Sequence, residues 1–181
     1  MTNPYREITC FVLAGGESNS RRDFEADGEL TRLESTYRQY AKLFEKVLLV
    51  LKSEQAREQY LNYPHVCDRQ SDRNVLYGIE AALDNAESDA TFIGSSAITD
   101  FPPELIVTLI RNYHGETFLG YCADDGVSCQ PLFGIYNRRL AQKLKARSSS
   151  DRSALLKLIR AEGRFMPLPP DVSAARLGIH N

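Results

Sequence analysis

Short apolar runs alternate with stretches of helical periodicity along the chain. Apolar runs bounded by polar residues are typical of buried strands, and apolar residues at three-to-four spacing are typical of helices. The predicted strands are Ile8–Leu13, Lys46–Leu51, Pro64–Cys67, Thr91–Gly94, Thr117–Cys122, Pro131–Tyr136 and Phe165–Met166. The predicted helices are Leu30–Phe44, Ser53–Tyr60, Val75–Asn85, Glu104–Tyr113, Arg138–Ala146 and Ser150–Arg160.

This alternation predicts a single α/β domain over residues 1–181. Helices that alternate with strands cover both faces of an open, mostly parallel sheet. The Asp-Gly turn at Asp124–Gly126 lies between two predicted strands and favours an antiparallel hairpin, so we expect a mixed sheet. The last stretch, Pro167–Asn181, shows neither the apolar run of a strand nor the three-to-four spacing of a helix, and it is predicted to be irregular.

Three polar loops follow predicted strands, at Ala14–Arg22, Asp68–Asn74 and Ser95–Asp100. Ligands of open α/β sheets bind outside the carboxyl ends of the strands, so these loops should meet at one ligand site. Gly15 and Gly16 directly follow the first strand, and their small size lets an anion approach backbone N–H groups closely. The pattern favours a phosphate or nucleotide loop over the alternative, a tight turn without a ligand.

Charge, hydropathy and cysteine content narrow the class of protein. The 22 basic and 24 acidic residues give no broad positive field for nucleic acid or an anionic membrane. The sequence contains no run of about 18 apolar residues, so it predicts no membrane-spanning helix. The N-terminal MTNPYRE lacks the apolar core of a signal peptide, so we expect a cytoplasmic protein. No CxxC pair occurs, and reduced thiols are expected at Cys10, Cys67, Cys122 and Cys129.

Four segments, in order and in register over about residues 8–165, resemble the molybdenum cofactor guanylyltransferase family. They are LAGG at Leu13–Gly16 with Ser18, LYGIEAAL at Leu76–Leu83, FPPELI at Phe101–Ile106 and QPLFGIYNR at Gln130–Arg138. The resemblance implies a Rossmann-like three-layer α/β/α nucleotidyltransferase fold. It also implies a reaction that joins GTP to molybdopterin, with Mg²⁺ as the cofactor.

The resemblance also assigns site residues. The nucleotide-binding residues would be Leu13, Ala14, Gly15, Gly16, Ser18, Arg21, Arg22 and Asp68. Gln130 and Pro131 would contact the pterin or second substrate. Without a ligand, the alternatives are a turn cap for Asp68, a strand-edge hydrogen bond for Gln130 and a solvated pair for the two arginines. A protein partner is a further candidate for binding.

The chain departs from the family pattern at charged positions. Glu25 stands where the family has a lysine, Ser20 where it has the loop arginine, and Ala97 where it has the metal-binding aspartate. A glutamate repels phosphate, and alanine has no oxygen to offer Mg²⁺. No catalytic residue is therefore assigned from the sequence.

Two hypotheses follow from these departures. In the first, the protein is an enzyme with a rearranged site, in which Asp23 or Asp100 binds the metal and Arg21 or Arg22 replaces the lysine's charge. In the second, it is a catalytically inactive homologue that binds a nucleotide, a pterin or a protein partner.

Overall fold

The computed structural model describes residues 7–14, 23–24, 26–27, 30–52, 58–68, 74–123, 125–126, 128–145 and 153–179. The strands are β1 (Thr9–Leu13), β2 (Ala26–Asp27), β3 (Leu30–Thr31), β4 (Val47–Leu51), β5 (His65–Cys67), β6 (Ala90–Ser95), β7 (Phe118–Cys122), β8 (Cys129–Asn137) and β9 (Arg164–Pro167). The helices are α1 (Arg32–Ala41), α2 (Val75–Asp84), α3 (Pro103–Asn112), α4 (Leu140–Lys145), α5 (Ser153–Glu162) and a 3₁₀ helix at Ala174–Leu177.

Seven strands form one sheet in the order β5-β4-β1-β6-β8-β7-β9. Strands β5, β4, β1 and β6 are parallel neighbours, and β9 is parallel to β7. Strand β8 pairs antiparallel with both β6 and β7. The predictions of a mostly parallel, mixed sheet and of an antiparallel hairpin are therefore confirmed.

Side chains of β1 alternate between two hydrophobic cores, one on each face of the sheet. Cys10 and Val12 belong to the core that α1 and α3 cover, whereas Phe11 and Leu13 belong to the core that α2, α4 and α5 cover. A strand buried on both faces shows a continuous apolar run, which is why the sequence pattern identified β1 directly. The predicted three-layer α/β/α fold is confirmed.

Helix α1 lies close against the sheet. A Cβ atom built on Gly94 of β6 would be 2.4 Å from the hydroxyl oxygen of Tyr40, so only glycine admits this tyrosine. Tyr40 is fully buried and stacks on Phe101, with ring centroids 5.1 Å apart. Because Tyr40 lies in the last turn of α1, this contact sets how near that end of the helix comes to β6.

The structure corrects two predicted boundaries. Leu30 does not begin the helix, because Leu30–Thr31 pairs with Ala26–Asp27 and Thr31 then caps α1. In this capping box the Thr31 hydroxyl accepts from the Glu34 N–H, and the Glu34 carboxylate accepts from the Thr31 N–H at 2.8 Å. The stretch predicted to be irregular contains the 3₁₀ helix, which Gly178 closes in the left-handed conformation with φ 67°.

Most of the predicted helix Ser53–Tyr60 and both glycines of the turn after β1 lie outside the described residues. None of the helices that the structure describes combines the length and apolar character needed to cross a membrane.

The capping box predicts an acid-sensitive contribution to stability. Desolvation raises the pKa of Glu34, but hydrogen bonds from Thr31 and Tyr63 outweigh it, so the pKa is lowered overall. A lowered folded-state pKa stabilises the fold above the unfolded value of about 4.3, and this contribution is lost as the pH falls through the folded pKa. Glu34→Gln should therefore lose less thermal stability than the wild type between about pH 6 and about pH 3. Thr31→Ser, which keeps the hydroxyl, should retain the wild-type profile, and identical profiles for wild type and Glu34→Gln would contradict the prediction.

Candidate functional site at the carboxyl edge of the sheet

The carboxyl ends of the parallel strands are held together beyond the strands themselves. The Ser96 N–H donates to the Leu13 carbonyl at 2.9 Å, and the Ala14 N–H donates to the Val50 carbonyl at 3.2 Å. The Asp68 N–H donates to the Leu51 carbonyl at 3.1 Å. The first residues after β1, β5 and β6, which are Ala14, Asp68 and Ser96, therefore lie at one edge of the sheet. Residues 15–22 and 69–73 of the predicted loops lie outside the described residues, so a common ligand site stays a prediction.

A buried ion pair lies at the β5 side of this edge. The Asp68 side chain is 1% exposed, and its Oδ2 is 3.6 Å from Nζ of Lys52, which directly follows β4. The same Nζ donates to the carbonyl of Asn74 at 3.2 Å, and the Asn74 side chain caps α2 by accepting from the Leu76 N–H. Lys52 thus connects the ends of β4 and β5 to the beginning of α2.

The sequence analysis did not identify Lys52 as a site residue. Its only signal was a lysine placed directly after an apolar strand. Sequence spacing does not show that this lysine reaches Asp68, because the parallel pairing of β4 and β5 creates the contact.

A second ion pair lies where α1 begins. Nε of Arg32 donates to the Ser96 carbonyl at 3.1 Å and is 4.0 Å from Oδ1 of Asp23, whose side chain is fully buried. The Thr36 hydroxyl also reaches the Ser96 carbonyl, at 3.3 Å. These contacts hold the loop after β6 against the first turn of α1. Arg32 is a second site residue that the sequence analysis missed. In the sequence, its position indicates only the polar face of a helix.

A cleft of about 390 Å³ opens beside this loop. Its described lining consists of Arg32, Ser95, Ala97, Ile98, Gln130, Leu132, Ala175, Arg176 and Gly178. The charged residues among them are both arginines. The cleft contains Ala97, the position that the family resemblance assigns to the metal-binding aspartate.

Gln130 and Pro131, the predicted contacts to a second substrate, both make structural hydrogen bonds. The Gln130 amide donates to the Leu177 carbonyl, and its oxygen accepts from the Leu132 N–H at 2.9 Å. The Pro131 carbonyl accepts from the hydroxyl of buried Tyr136 at 2.5 Å. Gln130 also lines the cleft, so it joins the C-terminal segment to β8 at the site.

The two carboxylates considered as replacement metal ligands face arginines instead. Asp23 faces Arg32, and Asp100, whose side chain is 75% exposed, lies 3.4 Å from Nε of Arg176. Within the described parts of the chain, no three His, Cys, Asp or Glu side chains form a group able to hold a metal ion. The described residues of the cleft therefore do not fit Mg²⁺.

The described residues cover only part of the predicted nucleotide loop. Leu13 and Ala14 are buried at the end of β1. Gly15, Gly16, Ser18, Arg21, Arg22 and Glu25 lie outside the described residues. Nucleotide binding by this loop stays a prediction.

The sheet order, with one antiparallel strand beside β6 and helices on both faces, defines a Rossmann-like α/β domain of the nucleotidyltransferase type. The model of the MobA-like NTP transferase domain family matches residues 10–165. The chain belongs to this family.

Solved structures share the fold. A protein from Aquifex aeolicus superimposes with a TM-score of 0.73 and 23% identity, covering 96% of this chain and 92% of its own. Molybdopterin-guanine dinucleotide biosynthesis protein A from Archaeoglobus fulgidus superimposes with a TM-score of 0.71 and 19% sequence identity. The match covers 88% of this chain and 83% of that protein. A Mycobacterium tuberculosis protein in complex with manganese superimposes with a TM-score of 0.63 and 16% sequence identity. The match covers 90% of this chain and 87% of that protein. No curated protein matches the chain in sequence.

The burial of the Lys52–Asp68 pair predicts a large cost for breaking it. Lys52→Met should lower the free energy of unfolding by about 3 kcal/mol, because Asp68 keeps its charge where water reaches it poorly. Lys145→Met is the matched control, since Lys145 pairs with Asp84 at 2.7 Å with both side chains about half exposed. That control should cost less than about 1 kcal/mol.

Urea denaturation of both variants measures the difference. Adding Asp68→Asn to Lys52→Met should recover part of the loss, because it removes the buried charge. Equal costs for the two lysine variants would contradict the assignment of a buried ion pair.

Proposed function

We propose that the protein binds a nucleoside triphosphate at the carboxyl edge of β1, β4 and β6 and transfers its nucleotidyl group to a second substrate. The observation that carries the proposal is that Ala14, Asp68 and Ser96, the first residues after β1, β5 and β6, lie at one edge of the sheet in a chain of the MobA-like NTP transferase family. The specific reaction proposed is guanylyl transfer from GTP to molybdopterin. The acceptor oxygen attacks the α-phosphorus. The bond between the α-phosphorus and the oxygen that bridges it to the β-phosphorus breaks, and pyrophosphate leaves.

Positive charge at the edge supports this proposal. A triphosphate and its leaving group carry several negative charges, and the transition state is stabilised by fixed positive groups nearby. Lys52 and Arg32 are described cations at this edge, each held in place by a buried aspartate. Arg21 and Arg22 would add two more from the predicted nucleotide loop. The manganese complex of the mycobacterial relative supports testing for divalent metal dependence.

A second candidate function is non-catalytic binding of a nucleotide, a pterin or a protein partner. Ala97 in the cleft supports it, because the family resemblance assigns the metal carboxylate to this position and the alanine side chain has no ligand atom. Both candidates are proposed for a cytoplasmic protein that uses neither nucleic acid nor a membrane as a partner, in keeping with its nearly balanced charge.

Calorimetric titration with GTP, run once with Mg²⁺ and once with EDTA, separates the two candidates. The enzyme proposal expects saturable GTP binding, and it expects pyrophosphate release once a molybdopterin-type acceptor is added. Titrations with ATP and CTP serve as the controls for guanine selectivity. Binding without pyrophosphate release would favour the non-catalytic candidate, and no binding of any of the three nucleotides would overturn nucleotidyl transfer.

A further inference from the structure

The described lining of the cleft beside β6 holds two arginines at the position where the family resemblance implies a metal-binding carboxylate. The side chain of Ala97 supplies no oxygen there, while Arg32 and Arg176 line the same space from two separate parts of the chain. A divalent cation is repelled by two guanidinium groups, whereas an anion is attracted. The chemistry of the described lining is therefore the reverse of that of a metal site.

Arg32 is oriented before any ligand binds. Its Nε contacts the Ser96 carbonyl and faces Asp23, and its side chain is only 24% exposed. A side chain that is already ordered loses little conformational entropy on binding. Its partial burial also strengthens its attraction for an anion, because solvent screens the charge less.

Arg176 is brought to the cleft by the C-terminal segment. The 3₁₀ helix carries it, Gly178 closes that helix with φ 67°, and the Gln130 amide holds the Leu177 carbonyl. Its partner Asp100 is 75% exposed. Exposed ion pairs contribute only about 0–1 kcal/mol, so an anion in the cleft can compete with Asp100 for this guanidinium.

The two guanidinium groups match a phosphate in chemistry. Guanidinium is charged at every physiological pH, and its planar set of donors binds phosphate oxygens in pairs. The volume of about 390 Å³ admits a small phosphorylated molecule. Ile98, Leu132 and Ala175 add apolar lining that could contact its organic part.

We propose that this cleft binds the phosphate group of a small phosphorylated molecule through Arg32 and Arg176, without a divalent cation. The proposal rests on the proposed function only in treating this molecule as the second substrate. Binding of the phosphate itself requires neither GTP nor transfer.

Titration of the full chain with inorganic phosphate in EDTA, at constant ionic strength, tests the proposal. Saturable binding is expected in EDTA, and Arg176→Gln should weaken it by about tenfold or more, because a charge-assisted hydrogen-bonding group is lost. Arg164→Gln is the matched control: Arg164 lies on β9, pairs with Glu116 at 2.8 Å and does not line the cleft, so phosphate binding should be unchanged. Equal affinity in wild type and Arg176→Gln, or binding that EDTA abolishes, would overturn the proposal.

A second pair of variants tests the role of Ala97. Ala97→Asp adds a carboxylate to the lining that Arg32 and Arg176 share and should weaken phosphate binding in EDTA, with partial recovery when Mg²⁺ is added. Ala97→Asn has nearly the same size without the charge and should weaken binding much less. Equal effects of the two substitutions would show that size, not charge, governs the cleft, and would contradict the proposal.

These outcomes are separable from those of the proposed function. Phosphate binding that depends on Arg176 in a protein that binds no GTP would sustain the anion site and overturn nucleotidyl transfer. GTP-dependent pyrophosphate release in a protein whose phosphate binding does not depend on Arg176 would support nucleotidyl transfer and overturn the anion site. Circular dichroism melts of every variant show whether a loss reflects unfolding.

Discussion

The carboxyl end of β1 is the constraint on which the candidate site depends. β1 lies between β4 and β6, and its last residues continue the hydrogen bonding past the strand, through Leu13 to Ser96 and through Ala14 to Val50. Leu13 and Ala14 are buried, and buried backbone groups pair with protein. The segments that leave the neighbouring strands are therefore kept within reach of one another.

Charge pairing then organises what these segments carry. Two aspartates, Asp68 and Asp23, are buried at the edge, and each faces a cation from another element. Burying a carboxylate without a partner costs several kcal/mol, so the pairing orients Lys52 and Arg32 toward the edge as a consequence of stability. The same contacts that hold the fold together thus supply the positive groups that a phosphate ligand needs.

The loop after β6 is held in place by protein contacts alone. Ala97 occupies the position assigned to a metal carboxylate, yet the loop around it is held by Arg32 and by Thr36 through the Ser96 carbonyl. The loop therefore keeps its place without a metal. Arg176, presented by the C-terminal 3₁₀ helix, adds charge from a segment that has no strand or helix period in the sequence.

The sequence by itself determined the sheet and its layers. Continuous apolar runs identified β1, β4 and β6, three-to-four spacing identified α1 to α5, and the Asp-Gly turn identified the antiparallel pair of β7 and β8, because these patterns follow from local geometry. It also determined the departures at Glu25 and Ala97, since these are identities and need no coordinates. Only the tertiary structure decided that Lys52 meets Asp68, that Arg32 meets Ser96 and that Arg176 lines a cleft with Ala97. Those contacts join residues far apart in the chain, and they depend on strand order and on how closely α1 approaches Gly94, which no local pattern encodes.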